Sequence, residues 1–334
     1  MSGMGNDHSA ADDRSLFAAA IRDGRPLVIF TGLCLLLAGC FVLFQSATGH
    51  FLPHDSAYLG MSAEELCSQN ECRIVHFMIH DRVSFGGTMI AIGALYMWLA
   101  EFPLRRGEAW AWWLLVASGL VGFGSFLAYL GYGYLDTWHG VATLVLLPFF
   151  VWGVIRSRAL VRPPASIRAL LAPALPLSLR TPLDVGRLAL LATAAGITCA
   201  GATIMIVGMT SVFVPQDLAF MGLTKADLQA LNPRLVPLIA HDRAGFGGGL
   251  CSTGVTVFFC VWCARPSKSL WQVLALAGTV GFACAILVHP AIGYTDFFHL
   301  APAYLGAVSY AMGMILSYRG MMRGDKEATA SATG

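Results

Sequence analysis

The chain has 334 residues, of which 57% are hydrophobic and only 12% are charged, and its formal net charge is +2. This balance excludes an ordinary soluble globular protein, and it gives no reason to expect binding to nucleic acid. Apolar runs of about 20 residues, the length that crosses a bilayer core as a helix, recur along the chain and predict an all-α integral membrane protein.

Eight transmembrane spans are predicted, at roughly 27–47, 75–100, 110–131, 138–156, 187–212, 236–263, 269–289 and 297–317. On one side of these spans lie only five basic residues, which are Arg73, Arg82, Lys225, Arg234 and Arg243. The positive-inside rule therefore predicts a multi-pass protein of the cell inner membrane with both termini in the cytoplasm. Residues 1–26 are polar and lack a cleavage site after an apolar core, so we interpret them as a cytoplasmic tail.

The sequence is a tandem duplication. The stretch "RIVHFMIHDRVSFGG" (73–87) matches "RLVPLIAHDRAGFGG" (234–248), "FLPHDSAYLGMSAEEL" (51–66) matches "FVPQDLAFMGLTKADL" (213–228), and "GYLDTWHG" (133–140) matches "GYTDFFHL" (293–300). Four spans per unit give both repeats the same orientation. The pattern predicts a first four-helix repeat at 27–156, a cytoplasmic linker at 157–186, a second repeat at 187–318 and a cytoplasmic tail at 319–334.

The two long outer loops contain turn and capping signals. Ser62 with Glu65, and Thr224 with Asp227, have the spacing of a capping box and predict a short helix in each loop. Cys67 and Cys72 lie in the first of these loops, where an oxidising compartment would let them form a disulfide.

Each repeat places one histidine on its second span and one on its fourth. These are His80 and His139 in the first repeat, and His241 and His299 in the second. All four fall in the first two turns of their spans, near the outer face, so each pair is expected to face across a four-helix bundle. Two imidazoles on facing helices are the arrangement that holds a haem iron, which predicts b-type haem with these four residues as iron ligands.

Small residues follow both histidines at helical spacing. They are Ser84, Gly87 and Ala91 after His80, and Gly245, Gly248 and Ser252 after His241. A face without bulk would leave a slot for a flat macrocycle, but small residues also let membrane helices pack closely. The sequence leaves both interpretations open.

Charged residues accompany the histidines. Arg82 and Arg243 are cofactor-binding candidates that would pair with a haem propionate, or they would pair with the adjacent Asp81 and Asp242. Asp136 and Asp296 precede the histidines of the fourth spans by three residues, where they would cap the helix or orient an imidazole. All four aspartates are therefore candidates for holding an imidazole in position.

Some residues are not matched across the repeat. His76 and His289 correspond to Pro237 and Tyr129. His76 belongs to a set at the outer side of the first repeat that offers a copper or zinc site. The other members of that set are His50, His54, Met61, Met78, Cys67 and Cys72.

Together, the eight spans, the parallel four-plus-four repeat, the histidines on spans two and four and the loop cysteine pair resemble heme A synthase. The resemblance implies twin four-helix bundles, with His80 and His139 binding one haem and His241 and His299 the other. It also places Cys67 and Cys72 at that family's loop cysteine pair. The family's Glu-x-x-His-Arg signature is replaced here by His-Asp-Arg. The "YLGM…HDR" pattern is also similar to an uncharacterised group of bacterial multi-pass membrane proteins.

Three classes of function are consistent with these features. The first is a membrane haem protein, an oxidoreductase or haem-modifying enzyme, with quinol or another membrane redox protein as its electron partner. The second is a transporter with its substrate between the repeats. The third is a non-catalytic membrane subunit or assembly factor. The phosphate-binding, GxSxG and HExxH motifs of soluble enzymes are missing from the sequence.

Overall fold

The computed structural model describes residue 15 and residues 21–134 and 137–330, with side chains up to residue 323. Asp136 and most of the N-terminal tail lie outside the described residues. Within the described residues, eight helices are long and apolar enough to cross a membrane. In chain order, spans 1 to 8 are Arg25–Ala47, Arg73–Glu101, Ala109–Phe126, Thr137–Ser157, Pro182–Met209, Leu235–Cys263, Lys268–Ile292 and Phe297–Ala330. Span 4 joins Thr137–Val141 and Leu147–Ser157 through a π-helical turn at Ala142–Leu146.

Glycine pairs hold the first two spans of each repeat together. A Cβ atom on Gly39 would lie 2.5 Å from the carbonyl oxygen of Gly86, and one on Gly247 would lie 2.2 Å from the backbone nitrogen of Met205. Gly201 makes the reciprocal approach to span 6. Because no side chain separates the backbones, span 1 packs closely against span 2, and span 5 packs closely against span 6.

The two repeats are interleaved. Span 2 packs against spans 1, 6 and 7, while span 6 packs against spans 2, 3 and 5. Spans 2 and 6 therefore form the centre of the molecule. We call the space between spans 1, 2, 3, 4 and 6 the first lobe, and the space between spans 2, 5, 6, 7 and 8 the second lobe.

Short helices cover one end of the spans, which we call the polar end. These loop helices are Pro53–Leu59, Ala63–Gln69, Pro215–Met221 and Lys225–Leu231. The capping boxes predicted at Ser62 and Thr224 are both present, which confirms those two helix starts. Cys67 and Cys72 form a disulfide at the same end.

Candidate functional site

The two His-Asp-Arg motifs meet at the polar end and exchange ion pairs. Arg82 Nε lies 2.9 Å from Asp242 Oδ2, and Arg243 Nε lies 3.2 Å from Asp81 Oδ2. Each arginine thus pairs with the aspartate of the other repeat. The predicted pairing of each arginine with its own neighbouring aspartate is wrong, because the contact between spans 2 and 6 brings the other repeat's carboxylate to the guanidinium.

Each arginine also contacts an aspartate on the loop helix of its own repeat. Arg82 Nη1 donates to Asp55 Oδ2 at 2.7 Å, and Arg243 Nη1 donates to Asp217 Oδ2. The two loop aspartates were missed at the sequence level, although both lie in the repeated "F-x-P-x-D" stretch. That repetition was the signal that would have found them.

Two tyrosines complete this network. Tyr134 donates its hydroxyl hydrogen to Asp55, and Tyr294 donates to Asp217 at 3.0 Å. Burial and the adjacent carboxylate raise the pKa of both phenols above the ordinary value of 10.0. They therefore remain hydrogen-bond donors at neutral pH. Both follow the repeated glycine before span 4 or span 8, a pairing that the sequence showed but did not interpret.

Carboxylates orient the histidines of spans 2 and 6. His80 Nδ1 lies 3.0 Å from Asp81 Oδ1, and His241 Nδ1 lies 3.1 Å from Asp242 Oδ1. A carboxylate accepts from an Nδ1–H group, so in the neutral imidazole the Nε2 atom retains its lone pair. Asp81 and Asp242 thus make the contact that an orienting role requires.

The histidines pair across the repeats. His241 Nε2 lies 2.9 Å from His139 Nε2, and the rings of His80 and His299 are 5.5 Å apart. The predicted facing of His80 with His139, and of His241 with His299, is wrong. The interleaved packing turns each central span toward the fourth span of the other repeat.

A third histidine joins the pair in the second lobe. The ligand nitrogen atoms of His80, His289 and His299 lie within 4.8 Å of one another. His289 is buried, and neither of its ring nitrogens has a hydrogen-bond partner of good geometry among the described residues. Tyr294 Oη lies 3.2 Å from His299 Nδ1. Three convergent imidazoles form a donor set that suits zinc, copper, iron or nickel.

The first lobe is closed at the corresponding point. Tyr129 takes the place of His289, and Phe126 stacks on the ring of His139 with centroids 5.3 Å apart. Because His241 donates through Nδ1, its Nε2 accepts the hydrogen of His139 Nε2. The pair is therefore satisfied by its own hydrogen bond.

The distances between the histidine nitrogens differ from those that a haem iron with two histidine ligands requires. A metal–imidazole bond is about 2.0–2.1 Å long, so two nitrogens on opposite sides of one iron are about 4 Å apart. The 2.9 Å contact between His139 and His241 leaves no room for that iron. In the second lobe, the three imidazoles form a donor set for a single ion, whereas a haem iron takes axial ligands from two opposite sides.

Packing accounts for some of the small residues below the histidines. A Cβ on Gly87 would lie 2.6 Å from Cys284 Cβ, and one on Gly248 would lie 2.0 Å from Ser125 Cβ. These two glycines therefore let helices approach. Ser84 and Ala91, on the same side of span 2 as His80, instead line a cavity.

That cavity occupies the second lobe and has a volume of about 860 Å³. It begins at His80, His289 and His299 and extends along the spans to Leu274 and Tyr310. Sites for small molecules and cofactors typically measure about 300–1,000 Å³. The second lobe therefore combines a set of metal-binding side chains with space for a ligand.

The remaining candidates have other contacts. Asp296 Oδ1 accepts from the backbone nitrogen of His299 at 2.7 Å, so it caps span 8. At the predicted outer copper or zinc site, Cys67 and Cys72 are joined to each other, and His50 Nδ1 lies 2.6 Å from Glu64 Oε1.

Comparison of the chain with protein-family models, with curated proteins and with solved structures gives no match.

Proposed function

We propose that the chain is a polytopic membrane protein that binds one transition-metal ion through His80, His289 and His299, at the outer end of the second lobe. The observation that carries this proposal is the convergence of three imidazoles from three spans and both repeats. The unpartnered nitrogens of His289 support it, because a buried polar group without a hydrogen bond is costly unless it binds a ligand.

Neighbouring side chains hold two of these ligands in position. Asp81 accepts from His80 Nδ1, so it directs the Nε2 lone pair of His80 away from the backbone. Tyr294 contacts His299 Nδ1 and is itself fixed by its hydrogen bond to Asp217. Three protein ligands leave a coordination position open, which is typical of a catalytic rather than a structural metal site.

The donor set narrows the choice of metal. Three neutral imidazoles without a thiolate suit zinc and copper(II), and copper(II) has the highest affinity in the divalent series. When bound, such an ion would supply Lewis-acid chemistry if zinc or one-electron chemistry if copper. This chain's own residues would orient the ligands and exclude water from the site.

The test is metal content after purification in detergent and dialysis against trace zinc and copper, measured by inductively coupled plasma mass spectrometry. We expect one ion per chain, and loss of that ion in His289→Tyr, which copies Tyr129 of the first lobe. His50→Ala is the matched control, because His50 lies in a loop with 63% of its side chain exposed. Equal metal content in wild type and His289→Tyr, or loss in His50→Ala alone, would overturn the proposal.

Haem is the second candidate, and the cavity volume beside His80 and His299 favours it. A visible spectrum of the oxidised and reduced protein, with a pyridine haemochrome assay, distinguishes the two candidates. Sharp reduced bands that disappear in His299→Ala would establish haem in the second lobe. A colourless protein that carries one zinc ion would support the single-ion site.

A further inference from the structure

The large cavity lies in the same lobe as the third histidine, and particular side chains explain why. The stretches "GLVGF" (119–123) and "GTVGF" (278–282) correspond in the two repeats, and three residues later the first has Phe126 where the second has Ala285. The second repeat then has one additional residue before the position of His289, which corresponds to Tyr129. Phe126 covers His139, whereas Ala285 lines the cavity below His299. The open volume therefore arises from Ala285 in place of Phe126, and the additional imidazole arises from His289 in place of Tyr129. Both differences lie near the polar end of the third span of each repeat.

A third difference lies further from the histidines. Gly306 of span 8 lines the cavity, and the corresponding position of span 4 is Leu146. Tyr310, at the far end, follows His299 by 11 residues. Eleven residues of helix correspond to about 16 Å, so the cavity is long enough for an extended chain as well as a head group.

The cavity also reaches the face of the molecule that would contact lipid. Phe298 and Leu305 line it, and they are 77% and 72% exposed. A ligand dissolved in the bilayer can therefore enter between the spans without crossing water.

The charges near the histidines favour an uncharged ligand. Arg243, which lines the cavity, is already paired with Asp81 and Asp217. No further arginine or lysine lines the cavity among the described residues. An acidic head group would therefore find no unpaired cationic side chain in the cavity, and only a bound metal ion could attract it.

We propose that this cavity binds an uncharged amphiphile of the long-chain quinone or quinol class. Its oxygen-bearing head group would lie at His80, His289 and His299, and its apolar tail would extend along spans 5, 7 and 8 toward Tyr310. This inference rests on the proposed function, since the head group would occupy the open side of the metal site.

The test is the binding of decylubiquinone to the detergent-solubilised full chain, followed by isothermal titration calorimetry. Ala285→Phe and Gly306→Leu place the first-lobe side chains in the second-lobe cavity, and each is expected to weaken binding about tenfold or more. Leu287→Phe is the matched control, because it adds an aromatic ring to span 7 at a position that is 65% exposed. Dodecanoic acid tests the preference for an uncharged head group. It is compared with decylubiquinone on metal-free protein, because a bound ion would itself attract a carboxylate, and is expected to bind at least about tenfold more weakly.

Metal content is measured on the same samples, so the two proposals can fail separately. The cavity site is supported if the Gly306→Leu variant keeps its metal and no longer binds decylubiquinone. If the wild-type protein contains no metal but both variants lose decylubiquinone binding, the metal site is refuted and the cavity site is supported. Unchanged affinity in both variants, or tighter binding of dodecanoic acid than of decylubiquinone, would overturn the inference.

Discussion

Replacement of Arg243 by methionine is expected to destabilise the protein more than the same replacement of Arg82. Arg243 is 4% exposed, and its partners Asp81 and Asp217 are 1% and 0% exposed. Its removal would leave two buried carboxylates without their cation. Breaking a buried ion pair from one side typically costs about 3–5 kcal/mol, and we expect a loss in that range for Arg243→Met.

Arg82 makes the equivalent contacts in a wetter environment. The side chains of Arg82 and Asp242 are 17% and 13% exposed, so water can solvate Asp242 after Arg82→Met. The second carboxylate, Asp55, is only 2% exposed but keeps the hydrogen bond from Tyr134. An exposed ion pair contributes about 0–1 kcal/mol. We therefore expect Arg82→Met to cost about 2–3 kcal/mol, below the loss for Arg243→Met because only one of its two carboxylates is fully buried.

The assay is reversible unfolding in mixed micelles with increasing sodium dodecyl sulfate, followed by the fluorescence of the eight tryptophans. The double variant Arg243→Met with Asp217→Asn removes one of the two orphaned charges and should recover part of the lost stability. Equal losses for the two arginine variants, or a loss below about 1 kcal/mol for Arg243→Met, would refute the assignment of a buried network.

Three further outcomes follow from the geometry. Gly247→Ala should destabilise the protein by about 1–3 kcal/mol, because its Cβ would lie 2.2 Å from the backbone of span 5, and equilibrium unfolding measures this. Tyr294→Phe should remove one phenol that ionises only above pH 10, and near-ultraviolet titration measures this. Because the pKa of Tyr294 is raised in the folded state, its contribution to stability is complete below the unfolded value of 10.0 and is lost as the pH rises above it. Cys67 and Cys72 should react with a membrane-impermeant maleimide added outside the cell only after reduction.

Each of these has its control. Gly124→Ala should be tolerated, because nothing lies within 4 Å of a Cβ at that glycine, and equal destabilisation by both alanines would contradict the packing argument. Loss of one phenol from the part of the titration near pH 10 in Tyr294→Phe would show that the Tyr294 phenol ionises normally. Reaction of the cysteines from the cytoplasmic side alone would reverse the predicted orientation.

Much of the fold could be predicted because it depends on local patterns. The length of each apolar run determines a span, and the predicted limits differ from the observed ones by a few residues except at span 8, whose helix continues beyond the predicted end at 317 to Ala330. The capping boxes at Ser62 and Thr224 were predictable for the same reason, since the interacting side chains are three residues apart.

The site was only partly predictable. The repeated motif drew attention to His80 and His241, but His289 was recognised only as a residue unmatched across the repeat. Its place in the site depends on the cavity that Ala285 lines and on span 2, which brings His80 to it. Contacts between residues 209 positions apart leave no periodic signal in a single sequence.

Local residue patterns are enough to predict eight apolar helices and to show two similar halves of sequence, each with a His-Asp-Arg motif. Which histidines lie together depends on how the helices pack. In a duplicated chain, span 2 has the same local spacing whether it faces span 4 or span 8, so the sequence pattern is identical for both. The packing of span 2 against spans 6 and 7 selects the partner from the other repeat, and that choice places three imidazoles in one lobe and a self-satisfied pair in the other.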